Sequence, residues 1–124
     1  LITQKPYTDK ITGKLKDRML VISTVSGFEF IKLDSVFYLK SKGCYTTFFL
    51  SDNKQKVSTK NLGYFEKRLS KYQFLRIHHS AIININKVFS YKNNESKILL
   101  TDNTYLPVSR TQKNSLITLL RQLC

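Results

Sequence analysis

From residue 19 to residue 108 the chain alternates short runs of β-branched and aromatic residues with tight turn signals, and that rhythm restricts the fold more than any other feature. Residues 19–25 and 28–33 flank Ser26-Gly27, and residues 35–40 and 44–50 flank Ser41-Lys42-Gly43. Asp52-Asn53 leads into a short run at 55–58, and Asp102-Asn103 separates runs at 96–101 and 104–108. Gly, Asn and Asp tolerate the left-handed backbone that such connections need, so the pattern predicts successive antiparallel hairpins. Pro107 cannot donate to a ladder, which places the last of these strands at an edge.

Two segments break the strand rhythm. Leu62, Phe65 and Leu69 recur at helical spacing, predicting a short helix to about residue 70, with Ser58 or Thr59 as its cap. Ser109-Arg-Thr-Gln112 reads as a capping box that opens a second helix, carrying Leu116, Leu119, Leu120 and Leu123 on one face. The expected architecture is therefore mainly β with two short helices. Residues 1–16, with Pro6, Gly13 and scattered lysines, read as a linker or the tail of an inter-domain connection, and 17–124 as one domain. The opening at Leu1 instead of Met suggests a domain belonging to a longer protein.

The stretch from Phe74 to Val88 is the centre of this arrangement. Its second half, from Ser80, suits one buried strand, whereas its first half sets Arg76, His78, His79 and Ser80 together as a polar corner. Two similar connections lie at 40–46 and 109–114. Each joins at least one Lys or Arg to a shorter polar group. That mixture suits duplex DNA, where cations hold phosphates and hydrogen-bonding groups read base edges.

Charge narrows the partner. Twenty-one Lys and Arg against eight Asp and Glu give +13, which points to a polyanion: DNA, RNA or an acidic membrane surface. Cys44 and Cys124 are too few for a disulfide framework or a zinc site, and the expected setting is reduced and cytoplasmic. No apolar run has the length of a membrane span, so no membrane role is expected. His78 and His79 are the only histidines, and on an extended chain they point apart, away from any shared metal. No glycine-rich phosphate cradle and no clustered carboxylates are present, so neither catalysis nor a cofactor is expected. For either histidine the plain alternative is a structural ring bonded to the loop. Arg110, likewise, has the alternative of pairing with an acid such as Asp102.

Taken in order, the blocks Asp34-Ser-Val-Phe-Tyr-Leu-Lys-Ser-Lys-Gly-Cys-Tyr-Thr46, 58–69, Phe74-Leu-Arg-Ile-His-His-Ser-Ala-Ile-Ile-Asn84 and Asp102-Asn-Thr-Tyr-Leu-Pro-Val-Ser-Arg110 resemble the LytTR DNA-binding domain of bacterial response regulators. The resemblance runs from about residue 21 to residue 120. It implies an elongated, multi-sheet β architecture that inserts loops, not a recognition helix, into successive major grooves. It further implies an upstream phosphoacceptor receiver domain and promoter binding at paired repeats. Position by position, it places base contacts at Thr46, His79 and Arg110, and DNA-backbone contacts at Lys42, Arg76, Ser80, Ser109, Lys113 and Asn114. Thr46 is shorter than the polar residue some members carry, and His79 stands where others have Arg or Asn, so a target sequence does not transfer.

The reading is a transcription regulator's output domain that binds double-stranded promoter DNA without catalysis. The isolated domain is expected to be a monomer and to dimerise on DNA. Asp34 and Asp52 lie outside any βα unit of receiver type and are expected in strand and turn roles. An RNA-binding module shares the basic charge, and a histidine-dependent nuclease is a weaker third reading.

Overall fold

The computed structural model describes residues 18–124; the linker expected at 1–16 lies outside them. Among the described residues ten strands and two helices form in the order the turn signals predict. A two-stranded hairpin pairs β1 (Met19–Thr24) with β2 (Gly27–Lys32). A five-stranded antiparallel sheet follows the order β5-β4-β3-β7-β6, from β3 (Val36–Lys42), β4 (Tyr45–Leu50), β5 (Gln55–Ser58), β6 (Phe74–His78) and β7 (Ala81–Asn84). A three-stranded sheet runs β10-β9-β8, from β8 (Val88–Lys92), β9 (Lys97–Leu100) and β10 (Tyr105–Pro107). Pro107 thus ends an edge strand, where its missing N–H costs no ladder bond. Helix α1 (Leu62–Leu69) sits between β5 and β6 in sequence, and α2 (Arg110–Leu123) closes the chain.

Alternation along β7 explains why its sequence is apolar without a break. Ile82 faces one core with Ile22, Leu39, Phe48, Phe65 and Leu69, which joins α1 and the β1–β2 hairpin to the sheet. Ala81 and Ile83 face a second core with Ile77, Ile98, Leu100 and Leu116, which joins the three-stranded sheet and α2. A central strand covered on both sides has no polar face to show. On β6 the same alternation sends Phe74 to the α1 side and Ile77 to the α2 side. Phe48 meets Phe65 edge-on, their ring centroids 4.8 Å apart.

Several local expectations are corrected. Residues 80–88 are not one strand: a turn at His79 and Ser80 precedes β7, and a 3-10 turn, Ile85–Lys87, carries the chain into the other sheet. Asn84 drives that switch. Although fully buried, it donates from Nδ2 to the Val36 carbonyl at 2.9 Å and accepts the Asn86 N–H at 2.9 Å. Helix α1 is capped by Asn61, whose Oδ1 accepts the Tyr64 N–H at 2.9 Å, not by Ser58 or Thr59. Those two residues are held elsewhere: Ser58 is buried opposite Thr46, and Thr59 bonds Ser23 through both hydroxyl and backbone. Ser109 stands at the N-cap of α2 without the capping-box bond, its Oγ lying 3.3 Å from the Thr111 hydroxyl. Asp52 occupies a turn at φ 62°, and Asp34 lies in a 3-10 turn with Lys87 Nζ 3.9 Å away.

Candidate nucleic-acid interface

Two backbone hydrogen bonds bring the three polar connections to one edge of the molecule. The Ser41 N–H donates to the Ser80 carbonyl at 2.9 Å, joining the β3–β4 tip to the β6–β7 turn. The Ser109 N–H donates to the Ile77 carbonyl at 2.8 Å, seating the start of α2 beside the same turn. Gly43, at φ +60°, supplies the left-handed residue that reverses the β3–β4 tip, a conformation in which a side chain would be strained. Lys42 is exposed at that tip, and Lys40 lies one alternation back on the same face of β3, opposite Ala81.

The turn at 78–80 is built from within. Arg76 shares the α1 face of β6 with Phe74, so its guanidinium is directed across the turn and not out to solvent. Its Nε donates to the His78 carbonyl at 3.0 Å and Nη1 to Glu66 at 2.7 Å, while Nη2 donates to the His79 carbonyl. The planar fork holds two turn carbonyls and a carboxylate together. These three bonds leave Arg76 holding the shape of the turn.

His78 completes the turn. Its Nδ1 accepts the Ser80 N–H at 3.2 Å and lies 2.9 Å from the Ser80 hydroxyl, which places the ring proton on Nε2. Burial lowers its pKa, and the neighbouring His79, Lys40 and Arg76 push the same way. A ring that is neutral when folded but protonates more easily when unfolded loses its stabilising contribution as pH falls. Denaturant unfolding at about pH 7.5 and about pH 5.5 should therefore show an acid-side loss that shrinks in His78→Gln. Equal pH dependence in both proteins would remove His78 from that role. The two histidine rings lie side by side, centroids 4.3 Å apart, contrary to the expectation for an extended chain; a register shift between Arg76 and His78 and the turn itself bring them together. Among the described residues no group of three or more His, Cys, Asp or Glu forms a metal site.

The remaining expected residues divide. Thr46, expected at a base, is fully buried, and its hydroxyl donates to the Lys60 carbonyl at 2.8 Å. That bond instead fixes the loop before α1, where the exposed Lys60 ammonium lies 5.4 Å from the Tyr64 ring centre. Lys60 and Lys40 also lie at this edge. His79 and Arg110 are exposed, Ser80, Ser109 and Lys113 half-buried. Arg110 does not pair with Asp102. That carboxylate accepts the Thr104 N–H at 3.1 Å and lies near Tyr38, whose phenol burial, then Asp102, pushes up. Asn114 is exposed one helical turn beyond Arg110, on a cleft with Gln73, Phe74 and Thr118.

The family model of the LytTr DNA-binding domain matches residues 26–121. The chain belongs to the LytTR family. The LytTR domain here is also similar to a solved structure, the LytTr DNA-binding domain of a putative methyl-accepting/DNA response regulator from Bacillus cereus. The two are 27% identical, with a TM-score of 0.68, over 82% of this chain and 95% of that one. No curated protein matches. The family match begins after β1, so the first hairpin strand of this LytTR domain stands outside it. Among the described residues no helix is long and apolar enough to cross a membrane.

Proposed function

We propose that this LytTR domain binds double-stranded promoter DNA through the edge formed by the β3–β4 tip, the 78–80 turn and the start of α2, as the output domain of a transcriptional response regulator. The observation that carries the reading is the pair of backbone bonds, Ser41 to Ser80 and Ser109 to Ile77, which fix three polar turns in one frame. Four strand spacings of roughly 4.8 Å, with α2 stacked about 10 Å off the sheet face, set the two ends of the edge about 22 Å apart. The long side chains at those ends, Lys60 and Arg110, extend that span toward the ~34 Å between successive major grooves on one face of a duplex. The two ends are thereby assigned to different grooves.

Within this reading His79 and Arg110 address base edges. Lys42, Lys113, Lys40 and Lys60 hold phosphates, with Ser109 and Asn114 as shorter polar contacts, and Ser80 and Arg76 keep the turn in shape. Paired promoter repeats are occupied by two copies, which an upstream receiver domain brings together; the isolated domain is a monomer. No step here requires a catalytic group.

Each phosphate neutralised contributes about −0.9 to the slope of log K against log salt, so roughly five contacts give a slope steeper than about −4. Salt titration on a duplex obtained by selection from random sequences measures it, with hairpin RNA and single strands as competitors. A nearly flat titration, or preference for RNA, would sink the proposal.

A further inference from the structure

A second basic site lies at the other end of the five-stranded sheet. A cleft of about 900 Å³ opens between the start of β1 and the end of α1, lined by Leu20, Leu33, Leu69, Tyr72 and four cations: Arg18, Lys67, Arg68 and Lys71. Strands β3 and β6 both begin at this end and finish at the polar turns. The six steps from Val36 to Lys42 span about 20 Å. The cations here cannot join the turns on the same stretch of duplex backbone.

The cleft combines two chemistries. Its floor is apolar: Leu33 and Leu69 are core residues reached from the surface, and Val21 carries the apolar lining outward onto the hairpin. Its rim is cationic and partly fixed. The Arg18 backbone is held by the Leu33 N–H at 3.0 Å, and its Nη1 donates to the Tyr72 hydroxyl at 3.1 Å. Arg18 and Lys71 both lie over the Tyr72 ring, 5.0 and 5.5 Å from its centre. None of Lys67, Arg68 and Lys71 forms an ion pair among the described residues, and Arg68 lies over the Tyr64 ring, 4.4 Å from its centre.

A duplex backbone offers phosphates but nothing to fill an apolar floor. A small anion would answer one cation and leave an open cleft of this size largely empty. A chain segment bearing several carboxylates beside aliphatic side chains answers both. We propose that the cleft is a docking site for an acidic amphipathic protein segment, occupied independently of the DNA edge.

The test uses the domain and a synthetic helical peptide with Glu along one face and Leu along the other. In a titration followed by amide NMR, shifts are expected at Leu20, Leu69 and Tyr72, and not at Ser41, His79 or Arg110. Lys67→Glu with Arg68→Glu, both exposed, should weaken the peptide at least ~10-fold, and replacing its Glu by Gln should do the same. Duplex affinity of that variant should stay within about 2-fold of the parent. Lys71→Glu provides a second variant should the first alter the circular dichroism. Shifts centred on the polar turns, peptide binding indifferent to charge reversal, or an equal loss of duplex affinity would each overturn the proposal. Failure of DNA binding by the parent domain would bear only on the function proposed above, since the peptide titration contains no DNA.

Discussion

Arg76→Ala is expected to lose about 2 kcal/mol of folding stability and more than ~10-fold in affinity for specific DNA, although the side chain touches no DNA in the arrangement proposed. The reason is the number of groups the guanidinium joins. It donates to two carbonyls of the 78–80 turn and to Glu66 on α1, so the turn's shape depends on one side chain. Charge-assisted bonds contribute roughly 1.5–3 kcal/mol each when desolvated, and partial exposure of Arg76 and Glu66 reduces the sum. Without the fork, the His78 and His79 carbonyls turn toward water and His79 loses its fixed place at the edge. Arg76→Lys separates this role from a phosphate contact. An ammonium can hold one of the three acceptors but not the set, so Lys should recover little stability or affinity. Full recovery of affinity by Lys, with unfolding midpoints unchanged in both variants, would make Arg76 a simple phosphate ligand. Urea unfolding and fluorescence anisotropy on one duplex suffice to decide.

Arg76 also shows where sequence reading reaches its limit. Turn chemistry and β-branched runs are local, and they placed the hairpin of β1 and β2, the strand at 55–58 and the edge strand ending in Pro107 close to their observed bounds. Basic residues beside shorter polar groups mark the three polar connections, and the family resemblance assigns contacts within them. What neither could show is which way a side chain faces once strands pair. Arg76 looks like an available cation in sequence, yet the alternation of β6 sets it beside Phe74 on the α1 face. Thr46 looks like a tip residue, yet pairing with Ser58 on one side and Ser41 on the other buries it. The caps failed for a related reason. Ser58, Thr59 and Ser109 all have capping side chains, but tertiary partners claim their backbones or hydroxyls first, leaving Asn61 to cap α1. Lys60 reaches the edge through a long-range bond, from the Thr46 hydroxyl to its carbonyl, that local patterning does not reveal. Local chemistry is legible; the assignment of shared partners is not.

Arg110→Ala is expected to cost ~1–3 kcal/mol on the preferred duplex and to relax discrimination at one base pair. Arg110 is the first residue of α2, exposed, and without a carboxylate partner among the described residues. The Ser109-to-Ile77 bond fixes the backbone immediately before it, so the guanidinium starts from a rigid point beside the 78–80 turn. A planar fork held this way can donate together to O6 and N7 of guanine, which a flexible lysine does less specifically. Lys113, one turn along the same helix and half-buried, is a point charge suited to phosphate. Lys113→Ala should therefore weaken all duplexes alike and flatten the salt slope by about one, with base preference unchanged. The decisive measurement compares both variants on the selected site, on single-base variants of it and on unrelated DNA. If Arg110→Ala loses the same affinity on all three, with its circular dichroism intact, Arg110 holds phosphate. Base reading would then fall to His79, whose imidazole presents one donor or acceptor to a base edge where the Arg110 fork presents two, which makes it the weaker discriminator.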